Sequence, residues 1–371
     1  MTGQKAGSGQ SELEATTKRR QTRNSVLPRA GPSITLTQKA EVKRAKLIIN
    51  PMAGLSRRKT ATVMETVVEA IGAVGRVAAV GAVVSSQKGP ADEVIELVTA
   101  KCKLAKLRVD VEFTKSAMHA MEIAKRARDK YDLVIAAGGD GTINEVINGI
   151  AGSRTTLAII PFGTLNVFAL ELGIPPDIKE ACELITEGKR VKIDLGYAET
   201  KEGSRYYTMV LGIGFDALVM KDATSEFRKR WGGLAYPMVG TKHLITYKWP
   251  LIYAKHTLTS SGYFAIIANS KHIWGEYQLA DAARMTDGLL DLVIINRKKW
   301  PAIDFLLSLS TKRMQKFLRK EYYQIKQAYV TSDSEVVVQA DGEIIGTAPV
   351  KVKVVPKALS VIANKAWKDG A

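Results

Sequence analysis

The sequence predicts an α/β domain with a parallel sheet, followed by a mainly antiparallel β-sandwich. The chain has 371 residues. That is more than the ~250–300 beyond which a single core stops growing, so we expect two domains. Up to about residue 190, apolar runs alternate with segments of helical period, which is typical of a parallel sheet covered by helices. Beyond about residue 193, short β-rich runs follow one another between Gly, Asp and Ser turns, which favours an antiparallel second domain.

The elements of the first half follow from local patterns. AKLIIN (45–50) predicts a strand that ends at an Asn-Pro pair, with a helical period after it. LRVDVEFT (107–114) alternates as a strand, and a helix is predicted over 116–130. YDLVIAAGG (131–139) and TTLAIIPFGT (155–164) are apolar runs of the kind buried on both faces of a parallel sheet. Each is followed by a predicted helix, over 142–152 and 177–189.

Charge and composition complete the domain plan. The formal net charge is +17, and the basic excess is concentrated in residues 1–46 and 297–320. Such a balance favours anionic partners, of which we favour an acidic membrane surface over nucleic acid. We assign residues 1–44 to a disordered basic tail, 45–194 to the α/β domain and 195–361 to the β-sandwich. Residues 362–371 form a C-terminal segment that returns to the first domain.

Cysteine usage and hydropathy indicate the compartment. Cys102 and Cys182 are the only cysteines, which favours reduced thiols in a cytoplasmic protein. The four histidines lack ligand spacing, so we do not expect a zinc site. The apolar stretch 70–87 contains Arg76 and falls short of the ~20 strongly apolar residues that span a bilayer. We therefore expect a cytoplasmic protein that is peripheral at the membrane, and we leave a homodimer open.

The turn GGDGT (138–142) joins a predicted buried strand to a predicted helix. Ligands of parallel sheets bind beyond the carboxyl ends of the strands, and this turn holds that position. Glycines let backbone N–H groups approach a phosphate, and the helix N-terminus adds partial positive charge. Asp140 suits a phosphate carried with Mg²⁺, or a hydroxyl that is about to lose its proton. The alternative is a tight turn near an N-cap, with Thr142 and Glu145 matching a capping box.

Six motifs occur in an order that resembles a known family. They are NPMAG (50–54), GGDGTINEVINGI (138–150), PFGTLNVFALELGIP (161–175), GFDA (214–217), TDGLLD (286–291) and DGE (341–343). Together they resemble the diacylglycerol kinase catalytic family, which includes bacterial lipid kinases, sphingosine kinases and ceramide kinases. GGDG alone is shared with NAD kinases and phosphofructokinases, whereas its combination with P-x-G-T-x-N and DGE is specific. The resemblance covers about residues 45–365.

The resemblance implies an ATP-dependent lipid kinase that uses Mg²⁺ and has its active site between the two domains. The first domain is then a nucleotide-binding domain similar to phosphofructokinase and NAD kinase, and the sandwich receives the lipid alcohol. The residues that match the nucleotide side are Asn50, Pro51, Gly54, Thr114, Gly138, Gly139, Gly141, Thr142, Asn144, Glu145 and Thr164.

The resemblance also assigns roles to acidic residues. Glu343 matches the general base of bacterial members, whereas sphingosine kinases give that role to the aspartate that matches Asp140. We favour Glu343 as the base and keep Asp140 open, with Asp140 also linked to the catalytic Mg²⁺. Asp216 is a candidate for orienting the lipid headgroup. From the residues alone, ADGEIIG equally predicts a hairpin turn, and one turn can serve both purposes.

A structural Mg²⁺ site is implied at the TDGLLD motif. Asp287 resembles its carboxylate ligand, with backbone carbonyls near Arg284 and Leu289. Asp194 resembles the aspartate that is linked to the ion through water.

Two features depart from the family. About fifty residues separate NPMAG from the strand at 107, which is longer than usual, and the extra stretch 70–87 is either a buried helix or a membrane-contacting hairpin. SAMHA (116–120) lacks a glycine that commonly precedes His-Ala in the family. The match of the neighbouring Thr114 to a nucleotide-side residue of the family is therefore less direct.

The segment 296–323 combines basic and apolar residues in the manner of helices that lie on anionic membranes. It equally fits a solvated basic face over the sandwich core. Two other functions stay open beside the lipid kinase. One is an NAD kinase-like nucleotide kinase, and the other is a catalytically silent binder of anionic lipid. Nothing in the sequence names the lipid.

Overall fold

The computed structural model describes residues 44–53, 90–163, 165–223, 227, 235–273, 277–296 and 320–369. The predictions for the N-terminal tail, for the stretch 70–87 and for most of the segment 296–323 lie outside these residues.

The first half alternates strands and helices as predicted. Its elements are β1 (Arg44–Ile49), α1 (Pro90–Leu104), β2 (Arg108–Phe113), α2 (His119–Ala127), β3 (Leu133–Gly138), α3 (Asp140–Ile150), β4 (Thr156–Pro161), α4 (Val167–Glu171), α5 (Ile178–Glu187) and β5 (Lys189–Glu199). Strands β1 to β4 lie side by side in the order β2-β1-β3-β4, and every pair among them is parallel. All residues of β3 and β4 are buried, which explains their uninterrupted apolar sequences.

The strand order places a ligand-binding edge at the ends of β1 and β3. From β1 the chain passes to β2 on one side and then to β3 on the other, so the direction of winding reverses between β1 and β3. Parallel sheets bind ligands at such a switch point, beyond the carboxyl ends of the strands. Asn50 follows β1 and Gly139 follows β3. The NPMAG and GGDG motifs therefore flank the same crevice.

The second half is dominated by antiparallel strands. Its elements are β6 (Ser204–Tyr207), β7 (Val210–Ile213), α6 (Phe215–Asp222), α7 (Ala235–Thr246), β8 (Ile252–Lys255), β9 (Thr259–Gly262), β10 (Phe264–Ala268), β11 (His272–Ile273), β12 (Tyr277–Gln278), β13 (Leu290–Ile295), β14 (Lys320–Ile325), β15 (Gln327–Ser332), β16 (Val337–Ala340), β17 (Glu343–Thr347) and β18 (Val350–Ala363). Six of these strands form one antiparallel sheet in the order β14-β13-β10-β7-β16-β17. Strands β8, β9, β15 and β18 continue the sheet of the first half. This confirms the predicted fold class.

Strand β18 connects the two halves. Its last part runs parallel to β4, with Ser360 opposite Thr156, while its length pairs antiparallel with β5 and its first part with β15. The predicted domain boundaries at 194–195 and 361–362 therefore fall inside β5 and β18. Beyond β18, the side chain of Trp367 donates from Nε1 to the carbonyl of Glu171 at 2.7 Å, which anchors the end of the chain on α4.

Among the described residues, no helix combines the length and the hydropathy that crossing a bilayer requires.

Candidate active site

Two glycine turns pack against each other beyond β3 and β4. A Cβ atom on Gly163 would lie 2.7 Å from the Cα of Gly139, and one on Gly139 would lie 3.2 Å from the Cα of Gly163. Asn166 holds the second turn, because its Oδ1 accepts from Gly163 N at 2.7 Å and its Nδ2 donates to Gly163 O at 2.9 Å. The GGDG and PFG motifs thus form one surface in which backbone lies against backbone, and side chains at these glycines would separate them.

The NPMAG turn joins this surface through a side-chain hydrogen bond. Asn50 donates from Nδ2 to Thr142 Oγ1 at 2.9 Å, and its Oδ1 accepts from Met52 N at 3.0 Å. A residue after β1 is thereby tied to the first turn of α3. The structure brings together Asn50, Gly138, Gly139, Asp140, Gly141 and Thr142, and their nucleotide-binding role stays a prediction.

The predicted capping box is wrong. Helix α3 begins at Asp140, with extended Gly139 as its N-cap and no side-chain cap. Thr142 therefore lies inside the first turn. The carboxylate of Glu145 instead accepts from the backbone N–H groups of Met118 at 2.9 Å and Ala120 at 3.1 Å, at the start of α2. The short glycine turn starts the helix three residues earlier than the capping pattern implies, and this frees Glu145 to cap its neighbour.

Asp140 is the acidic residue at the N-terminus of α3. Its Oδ1 atom is buried and has no hydrogen-bond partner among the described residues. Burial raises the pKa of the Asp140 carboxyl, while the backbone N–H groups of residues 166–168, at the start of α4, act in the opposite direction. The negative charge of Asp341 adds to the rise.

The arrangement at Asp140 fits a magnesium ion. An unpartnered carboxylate oxygen with a raised pKa is a favourable ligand for a hard cation. Within the described ranges no set of three or more His, Cys, Asp or Glu side chains is arranged to hold a metal. Mg²⁺ commonly binds through one or two carboxylates together with water and substrate phosphates, so a single aspartate suffices here.

The DGE motif forms the β16–β17 hairpin. Ala340 pairs with Glu343 across a two-residue turn in which Asp341 and Gly342 both have positive φ, 47° and 86°. This is the backbone pattern of a type I′ turn, in which glycine at the second position avoids strain. The predicted hairpin is confirmed, and Glu343 is the first residue beyond the turn.

Asp341 locks this hairpin against both halves of the molecule. Its carboxylate accepts from Thr208 N (2.6 Å), Thr208 Oγ1 (2.9 Å), Met209 N (2.9 Å), Val210 N (2.9 Å) and Asn144 Nδ2 (3.0 Å). The bond from Asn144 ties the hairpin to α3. Sequence reasoning missed this role, because Asp-Gly already had an explanation as a turn.

Glu343 lies beside the N-terminus of α3. A Cβ atom on Gly141 would be 3.7 Å from Glu343 Oε1. The other carboxylate oxygen, Oε2, forms an ion pair with Nη2 of Arg205 at 2.7 Å. Arg205 in turn donates from Nε to Asn144 Oδ1 at 2.7 Å. Burial raises the pKa of Glu343, Arg205 lowers it, and the charges of Glu145 and Asp341 raise it further.

A cavity of about 260 Å³ lies between these elements. Asp140, Asn144 and Glu343 contribute polar groups to its wall. The side chains of Ile143, Ile147, Leu165, Phe168, Met209 and Met220 supply an apolar wall. Acidic groups from two distant parts of the chain therefore face one space whose remaining wall is largely apolar.

Histidine 272 also lines this cavity, and the sequence did not single it out as a site residue. Its Nδ1 lies 2.7 Å from Oε2 of Glu171 on α4, and its Nε2 lies 3.3 Å from Nε2 of Gln278. His272 is thus held between a carboxylate on α4 and the side-chain amide of Gln278. This contact joins the two halves at the rim of the cavity.

Asp216 lies behind the hairpin instead of in the cavity wall. It is buried on α6, and its Oδ2 accepts from Gln339 Nε2 at 2.6 Å. Gln339 Oε1 accepts in turn from Gly342 N at 2.7 Å. Among the described residues lining the cavity, Asp216 is absent. In this structure it supports the DGE turn through Gln339, and the headgroup role stays a prediction.

The TDGLLD turn gathers carboxylates from distant parts of the chain. Asp194 accepts from Gly288 N at 2.7 Å and from Lys357 N at 2.6 Å, so both of its oxygens are engaged by backbone. Burial raises the pKa of Asp287, and the charges of Asp194 and Asp369 add to this rise. A cation beside Asp287 would relieve this repulsion. No set of three or more His, Cys, Asp or Glu side chains among the described residues is arranged to hold a metal, so the Mg²⁺ site at this turn stays a prediction.

Two further carboxylates at this turn escaped sequence analysis. Asp369 accepts from Met285 N at 2.9 Å and from Thr286 Oγ1 at 2.6 Å, and its backbone carbonyl accepts from Arg284 Nη1 at 2.8 Å. Asp291 is buried and has one oxygen, Oδ2, without a partner among the described residues. By donating to the backbone carbonyl of Asp369, the side chain of Arg284 anchors the C-terminal segment.

The remaining predicted nucleotide residues have less defined places. Gly54 and Thr164 lie outside the described residues. Pro51 is exposed in the turn after β1. Thr114 follows β2, and its backbone N–H donates to the carbonyl of Ile49 at 2.8 Å.

Comparison with known proteins places this architecture in a family. Residues 83–198 match the diacylglycerol kinase catalytic domain, and residues 209–363 match the YegS C-terminal NAD kinase beta sandwich-like domain. A curated diacylglycerol kinase of Staphylococcus saprophyticus is 31% identical over 234 residues, which cover 62% of this chain and 75% of that protein. A diacylglycerol kinase of Staphylococcus aureus is 28% identical over 249 residues, covering 66% of this chain and 78% of that protein.

Solved structures agree on the fold. A structure from Bacillus anthracis, described provisionally as a diacylglycerol kinase, superposes with a TM-score of 0.66 at 21% identity and covers 91% of this chain and 100% of its own. The two family domains, in this order, divide the chain where its parallel and antiparallel halves meet. From these matches and the curated relatives, we conclude that the chain belongs to the diacylglycerol kinase catalytic-domain family.

Proposed function

We propose that this protein is an ATP-dependent lipid kinase that transfers the γ-phosphate of ATP to the hydroxyl group of a lipid alcohol. In this proposal the α/β domain binds the nucleotide, and the β-sandwich binds the acceptor. Diacylglycerol and sphingoid bases are the acceptor types that we favour. The names of the curated relatives support the first of these.

One observation carries the proposal. Asp140 and Glu343, which are distant in sequence, line the same cavity, and its remaining wall includes apolar side chains. A hydroxyl on an aliphatic body needs both properties, a carboxylate near its oxygen and hydrocarbon around its chain. A nucleotide acceptor, by contrast, would bring a charged phosphate group against an apolar wall.

The chemistry requires little covalent work from the protein. Glu343 takes the proton of the acceptor hydroxyl, the hydroxyl oxygen bonds to the γ-phosphorus, and the bond to the leaving oxygen of ADP breaks. The raised pKa of Glu343 brings this base closer to neutral pH, where proton transfer is effective. Asp140 remains the alternative base.

The glycine turns and Asp140 serve the donor side of the reaction. Gly139 and Gly141 carry no side chains beside the N-terminus of α3, so phosphate groups could approach its backbone N–H groups closely. A magnesium ion held by Asp140 would neutralise charge on those phosphates. Asp287 would hold a second, structural ion near Asp194, away from the transferred group.

A radiolabelled transfer assay tests the proposal. The purified chain is incubated with [γ-³²P]ATP, Mg²⁺ and, separately, diacylglycerol, a sphingoid base, ceramide, a long-chain isoprenoid alcohol or NAD. We expect label to enter the organic phase with one of the lipids and not to enter NAD. Glu343→Gln should lower turnover by ~10²–10⁴-fold, the usual contribution of a general base. Transfer to NAD alone, or to none of the acceptors, would overturn the proposal.

A further inference from the structure

A concave, lysine-rich surface lies on the exposed face of the large sheet, on strands β5, β18, β15 and β8. Exposed and buried residues alternate on β8, on β15 and at the start of β18, as expected where one sheet face meets solvent. Lys351 of β18 is opposite Tyr329 of β15, and Tyr329 is opposite Lys255 of β8. Lys353 of β18 pairs across with Tyr197 of β5. Lysines and tyrosines are therefore cross-strand neighbours on this face, and Glu199 of β5 is opposite Lys351.

We call the surface formed by Lys255, Lys326, Lys351 and Lys353 the lysine groove. These side chains line a depression of about 1060 Å³ that also includes Tyr197, Tyr329 and a single carboxylate, Glu199. All four lysines are exposed, and none of them forms an ion pair with another residue in the described part of the chain. Lys353 lies over the ring of Tyr197, 5.4 Å from its centroid. The groove thus carries four lysines against one carboxylate and is net positive.

An apolar residue is exposed at the edge of this surface. Leu258, in the turn between β8 and β9, is 63% exposed. Tyr253 and Tyr329 are 39% and 42% exposed on the same face. Lysine ammonium groups bind the phosphates of anionic headgroups, tyrosine rings lie at headgroup depth, and a leucine enters the acyl boundary. The combination matches the chemistry of a bilayer interface.

We propose that the lysine groove, together with Leu258, docks the protein on bilayers that carry anionic phospholipid headgroups. This deepens the proposed function, since a lipid kinase must meet its acceptor at an interface, but the docking itself requires no catalysis. The groove and the catalytic cavity share no lining residue. Changes in the groove therefore leave Asp140 and Glu343 in place. Nucleic acid would also be attracted by the charge, but it does not explain an exposed leucine beside the lysines.

The test compares two fourfold variants of the full chain that lose the same charge. The groove variant is Lys255→Gln, Lys326→Gln, Lys351→Gln and Lys353→Gln. The control variant is Lys103→Gln, Lys106→Gln, Lys125→Gln and Lys130→Gln, which changes four exposed lysines outside the groove and the cavity. Each protein is sedimented with phosphatidylcholine vesicles and with vesicles of equal parts phosphatidylcholine and phosphatidylglycerol. A third variant, Leu258→Ser, probes the apolar contact without a change of charge.

We expect the unmodified chain to bind the anionic vesicles preferentially, and the groove variant to bind them at least about tenfold more weakly, as each basic residue near the surface contributes separately. The control variant should bind as the unmodified chain does, and Leu258→Ser should weaken binding without removing the preference for anionic lipid. Equal binding to both vesicle types, equal loss in the control, or an unaffected groove variant would overturn the proposal. So would a groove variant that loses affinity only for RNA or DNA. Because sedimentation needs no turnover, a chain that binds vesicles but transfers no phosphate would refute the kinase proposal alone.

Discussion

At the scale of the single residue, two opposing influences act on the pKa of Glu343. Burial favours its neutral form, and the Arg205 guanidinium 2.7 Å away favours its ionised form. The charges of Glu145 and Asp341 add to the effect of burial. The balance leaves the pKa above the ordinary glutamate value, which suits a base that must both hold and release a proton.

Removal of Arg205 should move the pH dependence of activity in a defined direction. Arg205 lowers the pKa of Glu343, so in Arg205→Met that pKa rises further and the carboxylate is protonated over a wider range. We expect the acidic limb of the kcat/KM profile to move to higher pH. Arg154→Met, at a side chain that is 91% exposed, is the control and should leave the limb in place. A limb that stays put in Arg205→Met would argue against Glu343 as the base.

The ionised side chain of Asp140 should lower the free energy of unfolding. Because its folded-state pKa lies above its unfolded value, the ionised side chain destabilises the fold at neutral pH, and the cost fades as pH falls through the folded pKa. Asp140→Asn should therefore raise the free energy of unfolding at neutral pH by ~1–3 kcal/mol, the scale of an unsatisfied buried polar group. Urea titrations of metal-free protein at neutral and mildly acidic pH measure this difference.

The same variant should lose the response to Mg²⁺ and nucleotide. In the unmodified chain their addition should raise the melting temperature, because ligands that bind only the native state stabilise it. Asp140→Asn should show little or no such rise. A stabilisation that persists unchanged at low pH, or a full response to Mg²⁺ in the variant, would contradict the role assigned to this carboxylate.

At the scale of elements, the site depends on the contact between two turns. The backbone at Gly163 approaches that at Gly139 so closely that an added methyl group would lie 2.7 Å from a backbone carbon. The Gly163 turn cannot move away easily, because the side chain of Asn166 is hydrogen-bonded to both the N–H and the carbonyl of Gly163. The approach fixes the N-terminus of α3 relative to that of α4.

Gly163→Ala should therefore separate the turns. We expect a loss of ~1–3 kcal/mol in unfolding free energy, as for other overpacked sites, and weaker nucleotide affinity. Gly203→Ala is the matched control, since a Cβ there would meet no atom within 4 Å. Chemical denaturation and fluorescent-nucleotide titration report the two effects. Equal behaviour of the two variants would show that the close approach is unimportant.

The β16–β17 hairpin depends on Asp341 in a comparable way. Asparagine also accepts the left-handed backbone found at this position, so Asp341→Asn changes the carboxylate without straining the turn. The new amide group would face N–H donors at Thr208, Met209 and Val210. We expect a loss of at least ~2 kcal/mol in stability, measured by urea unfolding, because hydrogen bonds to a charged acceptor are lost.

Activity should fall together with that stability, because Glu343 is carried by the same hairpin. Asp333→Asn is the control for the charge change. Asp333 is exposed, and its side chain accepts from Leu251 N at 3.1 Å. A variant of Asp341 with unchanged stability would show that the network has no energetic role.

At the scale of the whole molecule, the two halves share one sheet. Strand β18 pairs with β4 and β5 on one side and with β15 on the other. Loss of either half would expose the hydrogen-bonding edge of a strand that is otherwise buried at its centre. The cavity lined by Asp140 and Glu343 lies between elements of both halves, so the shared strand also fixes the distance between these two residues.

This connection predicts cooperative unfolding. In differential scanning calorimetry the parallel and antiparallel halves should unfold together in one transition, because neither half keeps its sheet when the other melts. The ratio of van't Hoff to calorimetric enthalpy should be near one at low protein concentration. Two separated transitions would contradict the shared-sheet account.

How far the sequence anticipates the site depends on the range of the interaction. The strands β3 and β4 and the hairpin at Asp341 were predictable, because each rests on local periodicity or on turn residues. Asp140 and Glu343 were found through motif spacing and resemblance. Arg205 and His272 could not be found, since an isolated arginine or histidine has no local pattern that marks its partner.

Glu145 illustrates the limit within a correctly predicted element. Its spacing from Thr142 matched a capping box, but the first two residues of the helix are Asp140 and Gly141, and the carboxylate caps a different helix 25 residues away in sequence. Local patterns describe what a side chain could bond within its own turn. They do not reveal a hydrogen-bond donor that is distant in sequence and that the fold brings close to the same side chain.

The sequence alone determined the alternation of parallel and antiparallel halves, the positions of the phosphate turns and the family to which the chain belongs. These depend on periodicity and on glycine and aspartate chemistry over short distances. Only the tertiary structure decided that Asp216 supports the DGE turn from behind, that Asp341 binds both halves together, and that four lysines from β8, β18 and the turn before β15 form one groove. The contacts of Asp216 and Asp341 join residues more than a hundred positions apart, and burial and charge at such distances are properties of the packed chain.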